Sequence, residues 1–378
     1  MREQARAVLE AHWRDGFTVP NGDVYPWQWL WDSCFHAVCW AELGEPDRAI
    51  SELWSVFASQ GTDGFVPHLD YRRGPYPHDE FWKRIATSTI TQPPMYGHAI
   101  AELERRGIPV PGGIVDRARR GLLHLVRDRP RTPAGLVPVL HPWETGCDDS
   151  PRWDAWCPDG WDPDRWREEK GEMVGSLVMG PGGSPVSNPR FTVGSVMFNA
   201  LVAFNLSELA TVIGNDALRE EATALARSVD RRWDPGATTW VDDSERPGSA
   251  AVPTAEALLP VLVSENAVAV EASFAALTDA LAFGTRFGPA GVHVADPAFS
   301  ATTYWRGPAW PQITYLLAVA AHRHGRPEAT RLATALVEGA VTSGFAEYWN
   351  PDTGEGLGAQ PQSWTALAAV AEGWLRTG

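Results

Sequence analysis

Three short joints constrain the fold of this chain more than any other feature. Leu43-Gly44-Glu45-Pro46-Asp47, Ile213-Gly214-Asn215-Asp216 and His324-Gly325-Arg326-Pro327-Glu328 each separate two stretches of helical periodicity. Glycine accepts the left-handed conformation that ends a helix, and proline or aspartate suits the start of the next. Each joint therefore reads as a tight connection between two helices. With the 3.6-residue apolar period, the pattern predicts helices over 1–14, 31–43, 47–59, 89–106, 114–127, 193–213, 216–231, 253–263, 266–282, 307–324, 327–342 and 363–376.

Members of a pair differ in character. Segments 193–213 and 307–324 are rich in apolar and small residues, whereas 216–231 and 327–342 carry a charged stripe. That contrast fits inner helices facing a centre and outer helices facing water. The expectation is an all-α fold, an (α/α)6 toroid of six helical hairpins, with residues 1–378 as one domain. The first helix would be the outer partner of the last. The aperiodic stretches 15–30, 60–88, 128–192, 232–252, 283–306 and 343–362 would then meet at one end and form the active-site face.

A formal net charge of −15 argues against nucleic acid as a partner, because phosphate binding needs basic patches. No run of about 18 apolar residues occurs, so no membrane span is expected. The amphipathic start MREQARAVLEAHWRDGF lacks a signal-peptide core, which gives a cytoplasmic expectation. Cys34, Cys39, Cys147 and Cys157 match no zinc or redox spacing, so neither a disulfide framework nor a thiolate metal site is expected. No H-x-x-x-H set and no phosphate-cradling glycine loop is present; the chain is read as needing no metal and no organic cofactor. His36 and His98 lie on apolar runs and read as packed core histidines.

Nineteen tryptophans cluster beside polar groups. Trp27, Trp29 and Trp31 fall within YPWQWLWDSCFHA; Trp143, Trp153 and Trp156 flank ETGCDDSPRWDAW; Trp305 and Trp310 bracket YWRGPAWP; Trp349 and Trp364 frame the stretch from Phe345 to Ala366. Indole faces beside carboxylates suit the faces and hydroxyls of a sugar, although aromatic rings also fill cores. Glycoside hydrolysis needs two carboxyl groups, one protonated and one ionised. Asp148, with Glu144 and Asp149 beside it, is a candidate acid whose crowded, aromatic surroundings would hold its proton. Glu347 and Glu355 lie in the second acidic loop.

The acid loop ETGCDDSPRW resembles the E-S-G-x-D-x-S-x-R-W loop of family 37 trehalases and the matching loop of glycoside hydrolase family 63. WLWDSCFHA, Gln92-Pro93-Pro94, YWRGPAWP and EYWNPDTGEGLG…SWTA follow in family 63 order over about residues 25 to 365, closest to bacterial mannosylglycerate and glucosylglycerate hydrolases. The resemblance implies inverting hydrolysis of small α-glycosides without an organic cofactor. It carries the general acid to Asp148 and the general base to Glu347, with Glu355 kept as a second candidate for the base or as a residue holding water or sugar. It carries sugar contacts to Tyr25, Trp29, Trp31, Asp32, Gln92, Trp305, Arg306, Trp310 and Gln362. Arg306 has an alternative reading as a structural ion pair beneath the pocket. In the stretch where glycerate-recognising members carry R-P-T-x-x-D-Y-x-R-Y, Arg190 remains here as a candidate anion anchor, while the Asp, Tyr and second Arg are missing.

The expected partner is thus a small carbohydrate, acted on as an α-glucoside or α-mannoside. Two other classes are weighed: a sugar isomerase or epimerase on the same scaffold, which would bring paired histidines together, and a non-catalytic sugar-binding relative. The sequence leaves the sugar, the linkage and the oligomeric state open.

Overall fold

A computed structural model describes residues 1–75, 77–246 and 251–377. Its helices are α1 (Arg2–His12), α2 (Leu30–Glu42), α3 (Pro46–Val56), the single turn α4 (Asp79–Trp82), α5 (Tyr96–Arg105), α6 (Gly112–Leu123), α7 (Pro163–Gly175), α8 (Val196–Ile213), α9 (Asp216–Asp230), α10 (Ala267–Thr278), α11 (Pro311–Arg323), α12 (Glu328–Thr342) and α13 (Leu367–Thr377). Among the described residues, the strands form only two-stranded antiparallel pairs of two or three residues each. They close loops and build no sheet, so the protein is all-α in character.

The joints behave as their residues dictate. Gly44, Gly214 and Gly325 sit at φ +81°, +62° and +61°, with open space where a Cβ would be, so conformation and not crowding selects glycine there. Asn215 caps α9 by accepting from the Leu218 N–H, and Pro46 occupies the first turn of α3. Helices α2 and α3, α8 and α9, and α11 and α12 pack as pairs. Every residue of α2 from Leu30 to Ala41 is buried, whereas α9 buries only Leu218, Ala222, Leu225, Ser228 and Val229. That is the inner and outer contrast read from composition. Helix α2 also packs on α5, α5 on α8, α8 on the 3-10 segment Glu256–Leu262, that segment on α11, α11 on α13, and α13 back on α2.

Three boundaries move for local reasons. The stretch 253–263 is a 3-10 helix over Glu256–Leu262, with Pro260, which lacks an N–H, inside it. The helix expected from residue 89 starts at Tyr96, after Pro93-Pro94. The helix expected from 307 starts at Pro311. One helix, α7, lies unforeseen inside 128–192. Its sequence PDRWREEKGEMVG is mostly polar, and only Trp166, Lys170, Met173 and Val174 turn inward. Its start signal is nonetheless present: Asp162 caps it through the Arg165 N–H, and Pro163 follows.

Helix α8 qualifies the expectation of no membrane span. Among the described residues it alone has the length and composition to cross a membrane, yet it is 78% buried inside the protein. Its Asn199 and Asn205 are spent on internal bonds, to Val137 and to Leu201 and Met95.

Candidate active site

The loop carrying Asp148 is fixed from below by charge and from above by aromatic packing. Glu144 is fully buried and meets Arg129 in a two-pronged ion pair at 2.6 and 2.9 Å. Its carboxylate also accepts the backbone N–H groups of Thr91 and Leu140 at 3.1 and 2.7 Å. Gly146 then turns the chain at φ +71°; a Cβ there would lie 2.6 Å from the Trp31 ring. Only glycine lets the loop press onto that indole. Helix α7 holds the far side: the Trp166 Nε1 donates to the Asp148 carbonyl at 2.9 Å, and the Lys170 ammonium meets Asp149 at 2.5 Å.

Glu347 enters from the other end of the chain. It precedes the hairpin pairing Tyr348 with Leu357 and Trp349 with Gly356. Its Oε2 accepts the Ala359 N–H at 2.9 Å, and its Oε1 accepts the Tyr25 hydroxyl at 3.1 Å. The Trp364 Nε1 donates to the Glu347 carbonyl at 3.0 Å. Both carboxylate oxygens are thus aimed, one by backbone and one by a phenol.

A cavity of about 120 Å³ is lined by Asp148 and Glu347 together with Tyr25, Trp29, Trp31, Asp32, Gln92, Tyr304, Gln362 and Trp364. Trp29, Trp31 and Asp32 stand at the start of α2, and Gln362 and Trp364 at the 3-10 turn Ser363–Ala366 that leads into α13. Burial is the first cause of every carboxyl shift here. It pushes Asp148 up to about 6, with Asp149 raising it further and Lys170 opposing. It pushes Glu347 up to about 7, against the bonds from Ala359 and Tyr25 and with help from Asp148. Asp32 is held well above the usual carboxylate range, by burial and then by Glu347. All three carboxyls are pushed toward the neutral form, the direction that lets one of a pair serve as an acid on a sugar.

Residues 25–365 match the family described as the mannosylglycerate hydrolase MGH1-like glycoside hydrolase domain. The chain belongs to that family. The mannosylglycerate hydrolase of Thermus thermophilus is 32% identical over 99% of this chain and 100% of its own. That of Rubrobacter radiotolerans is 30% identical over 98% of this chain and 96% of its own. A crystal structure of a family 63 mannosylglycerate hydrolase from Thermus thermophilus, in complex with Tris and D-glycerate, is similar with a TM-score of 0.83 at 27% identity, covering 99% of this chain and 100% of that one.

Within this glycoside hydrolase frame, Tyr25, Trp29, Trp31, Asp32, Gln92, Asp148, Glu347 and Gln362 line the one cavity, and the other residues picked from sequence do not. Trp305 and Trp310 stack at 3.6 Å with planes 4° apart, and Trp310 also stacks on Tyr348 at 4.5 Å. Both are buried; Trp310 is stacked by two rings and Trp305 by one, and neither lines the cavity. Their neighbour Tyr304, not singled out in the sequence, reaches the cavity instead. Arg306 forms a two-pronged pair with Asp154 at 2.7 and 2.8 Å and lies over Trp161 at 4.3 Å, which matches its structural reading. Arg190 is no anchor in the pocket: Glu172 and Glu169 hold it at 2.6 and 2.7 Å on the surface. Glu355 is exposed near the hairpin turn, away from the lining.

Glu144 does not tune Asp148 as expected, since Arg129 already neutralises it; Asp149 is the like charge that acts. The histidines do not converge in the pocket. His98 does approach Glu102 and Glu208, a grouping that the sequence does not foretell. Arg105 and Arg323 engage Glu208, Arg105 and Arg106 engage Glu102, and His98 shares a bond with Tyr315 at 2.8 Å. Those carboxylates are committed to guanidinium groups, which suits a buried charge network and not a cation.

Proposed function

We propose that the protein is an inverting α-glycosidase for a small α-glucoside or α-mannoside, with Asp148 as general acid and Glu347 as general base. One observation carries the reading: two carboxyl groups from distant loops line a single aromatic cavity, and burial pushes both above the usual carboxylate range. Asp148 would protonate the glycosidic oxygen as the bond to the anomeric carbon breaks. Glu347, aimed by Tyr25 and the Ala359 N–H, would take a proton from the water attacking the opposite face. Inversion asks for a separation of roughly 6.5–9.5 Å between the carboxyls, enough to admit that water. Asp32, Gln92 and Gln362 would bond the sugar hydroxyls, and Trp29, Trp31 and Trp364 would cover its apolar faces.

The same reading takes the whole chain as one (α/α)6 domain. The succession of packing contacts from α2 through α5, α8, the segment 256–262, α11 and α13 back to α2 supports it. An isomerase or epimerase using two histidines has no such support, because no histidine lines the cavity.

The test is a screen of small α-glycosides, with proton NMR following the anomer first released. The expected product is the β-anomer of the free sugar; release of the α-anomer would overturn inversion.

A pH profile follows from the same two groups. Between about 6 and 7 the pair carries one proton. Below that range the base is protonated, and above it the acid is lost, so kcat/KM is expected to form a narrow bell centred between those values. Lys170 draws the shared proton away from Asp148. A glycosidic oxygen beside Asp148 and a water donating to Glu347 both draw it to the productive arrangement. Replacing Lys170 by methionine removes the cation that lowers Asp148, and the basic limb is expected to move to higher pH. A profile that rises without falling up to pH 9 would exclude a protonated carboxyl from the rate equation.

A further inference from the structure

The cavity is rich in acceptors and poor in free cations. Asp32, Asp148 and Glu347 bring carboxyl groups to it, and the Gln362 Oε1 is buried there without a partner. Among the described residues no lysine or arginine lines it. Five basic side chains of the loops around it are held by carboxylates. Arg129 is held by Glu144 and Lys170 by Asp149. Arg152 is held by Asp242 and Glu256, Arg190 by Glu169 and Glu172, and Arg306 by Asp154. Releasing a buried member of this set would strand its carboxylate, which is costly. The residues outside the described ranges, Tyr76, Pro247 to Ala250 and Gly378, include no cation.

We propose that this site takes glycosides whose leaving group is uncharged, a polyol or a second sugar, and discriminates against leaving groups that carry a carboxylate. The proposal rests on the glycosidase reading above. A carboxylate would bring more negative charge to a lining that already holds three carboxyl groups and, among the described residues, no cation. A hydroxyl-bearing group adds no charge and can both donate and accept hydrogen bonds. The basis for selection is thus as much rejection as attraction. In this respect the chain would part from its relatives named for mannosylglycerate.

The experiment compares kcat/KM for α-D-glucosylglycerol and α-D-mannosylglycerol with that for the matching glycerate conjugates, which differ only in oxidation of one terminal carbon. The expected result is a preference of about tenfold or more for the neutral member of at least one pair, since like charges brought together at a site are strongly disfavoured. Turnover of a glycerate conjugate as fast as its glycerol counterpart would overturn the proposal and leave the glycosidase reading intact. If none of the four is turned over, calorimetric titration of the same compounds into the wild-type protein decides the leaving group, and the wider screen of α-glycosides decides the glycosidase reading. Tighter binding of the glycerol conjugate would then support the proposal; tighter binding of the glycerate conjugate, or no binding of either, would overturn it.

Discussion

Asp148→Asn and Glu347→Gln are each expected to lower kcat by about 10²–10⁴-fold, the span that a positioned acid or base supplies. KM should move little, because each amide keeps the shape of the acid it replaces. The Glu347 variant is well placed to separate chemistry from folding. A glutamine there can accept the Ala359 N–H with its oxygen and donate to the Tyr25 oxygen with its amide, so both contacts of the native carboxylate persist. Only the ability to take a proton from water is lost. Its thermal midpoint should therefore stay near wild type while turnover collapses. The Asp148 variant should be less impaired on substrates with an activated leaving group, such as a 4-nitrophenyl α-glycoside, which needs less protonation to depart. The Glu347 variant should show no such relief. Wild-type kcat in either variant would remove that residue from its role, and equal losses on both substrate types in the Asp148 variant would deny it the part of the acid.

What the sequence disclosed and what it hid follow different physics. The hairpin joints were legible because glycine at a helix end and proline or asparagine at the next start answer to local backbone conformation. The cavity residues in WLWDS, the acid loop and EYW were legible because their motifs come as contiguous runs. Helix α7 was hidden because its buried stripe is only Trp166, Lys170, Met173 and Val174, with a lysine at its centre. The fate of Trp305 and Trp310 was hidden for another reason: a tryptophan's neighbours in sequence say nothing about which rings will cover its two faces. Trp54 is 42% exposed and covers Gly113 with its ring edge. Arg190 and Arg306 show the same gap for charge, since their partners Glu169, Glu172 and Asp154 are set by tertiary approach. Pairing that crosses elements is where motif reading stops and packing must be seen.

The Arg129–Glu144 pair is the place where breaking such a crossing contact should cost most in stability. Both side chains are buried, at 1% and 0% exposure. Glu144 satisfies Thr91 and Leu140 as well as Arg129, while Arg129 also donates to the Pro138 carbonyl at 3.0 Å. Replacing Arg129 by methionine leaves a buried carboxylate with two backbone donors and no counter-charge, and an uncompensated buried charge typically costs about 3–5 kcal/mol. The loss should read as a lower denaturant midpoint at unchanged slope. Replacing Glu144 by glutamine strands the guanidinium instead and should also destabilise. The double variant Arg129→Met with Glu144→Gln should recover part of the loss, because the glutamine oxygen still accepts a backbone N–H while neither charge remains. Such recovery marks a coupled pair. The pair also reaches the chemistry: Thr91 precedes Gln92, and Glu144 lies one turn before Asp148, so one carboxylate ties together two walls of the cavity. Activity per folded molecule should therefore fall in both single variants and return with stability in the double. If the double variant is no more stable than the worse single one, the ion pair is not the contact that holds the two walls together.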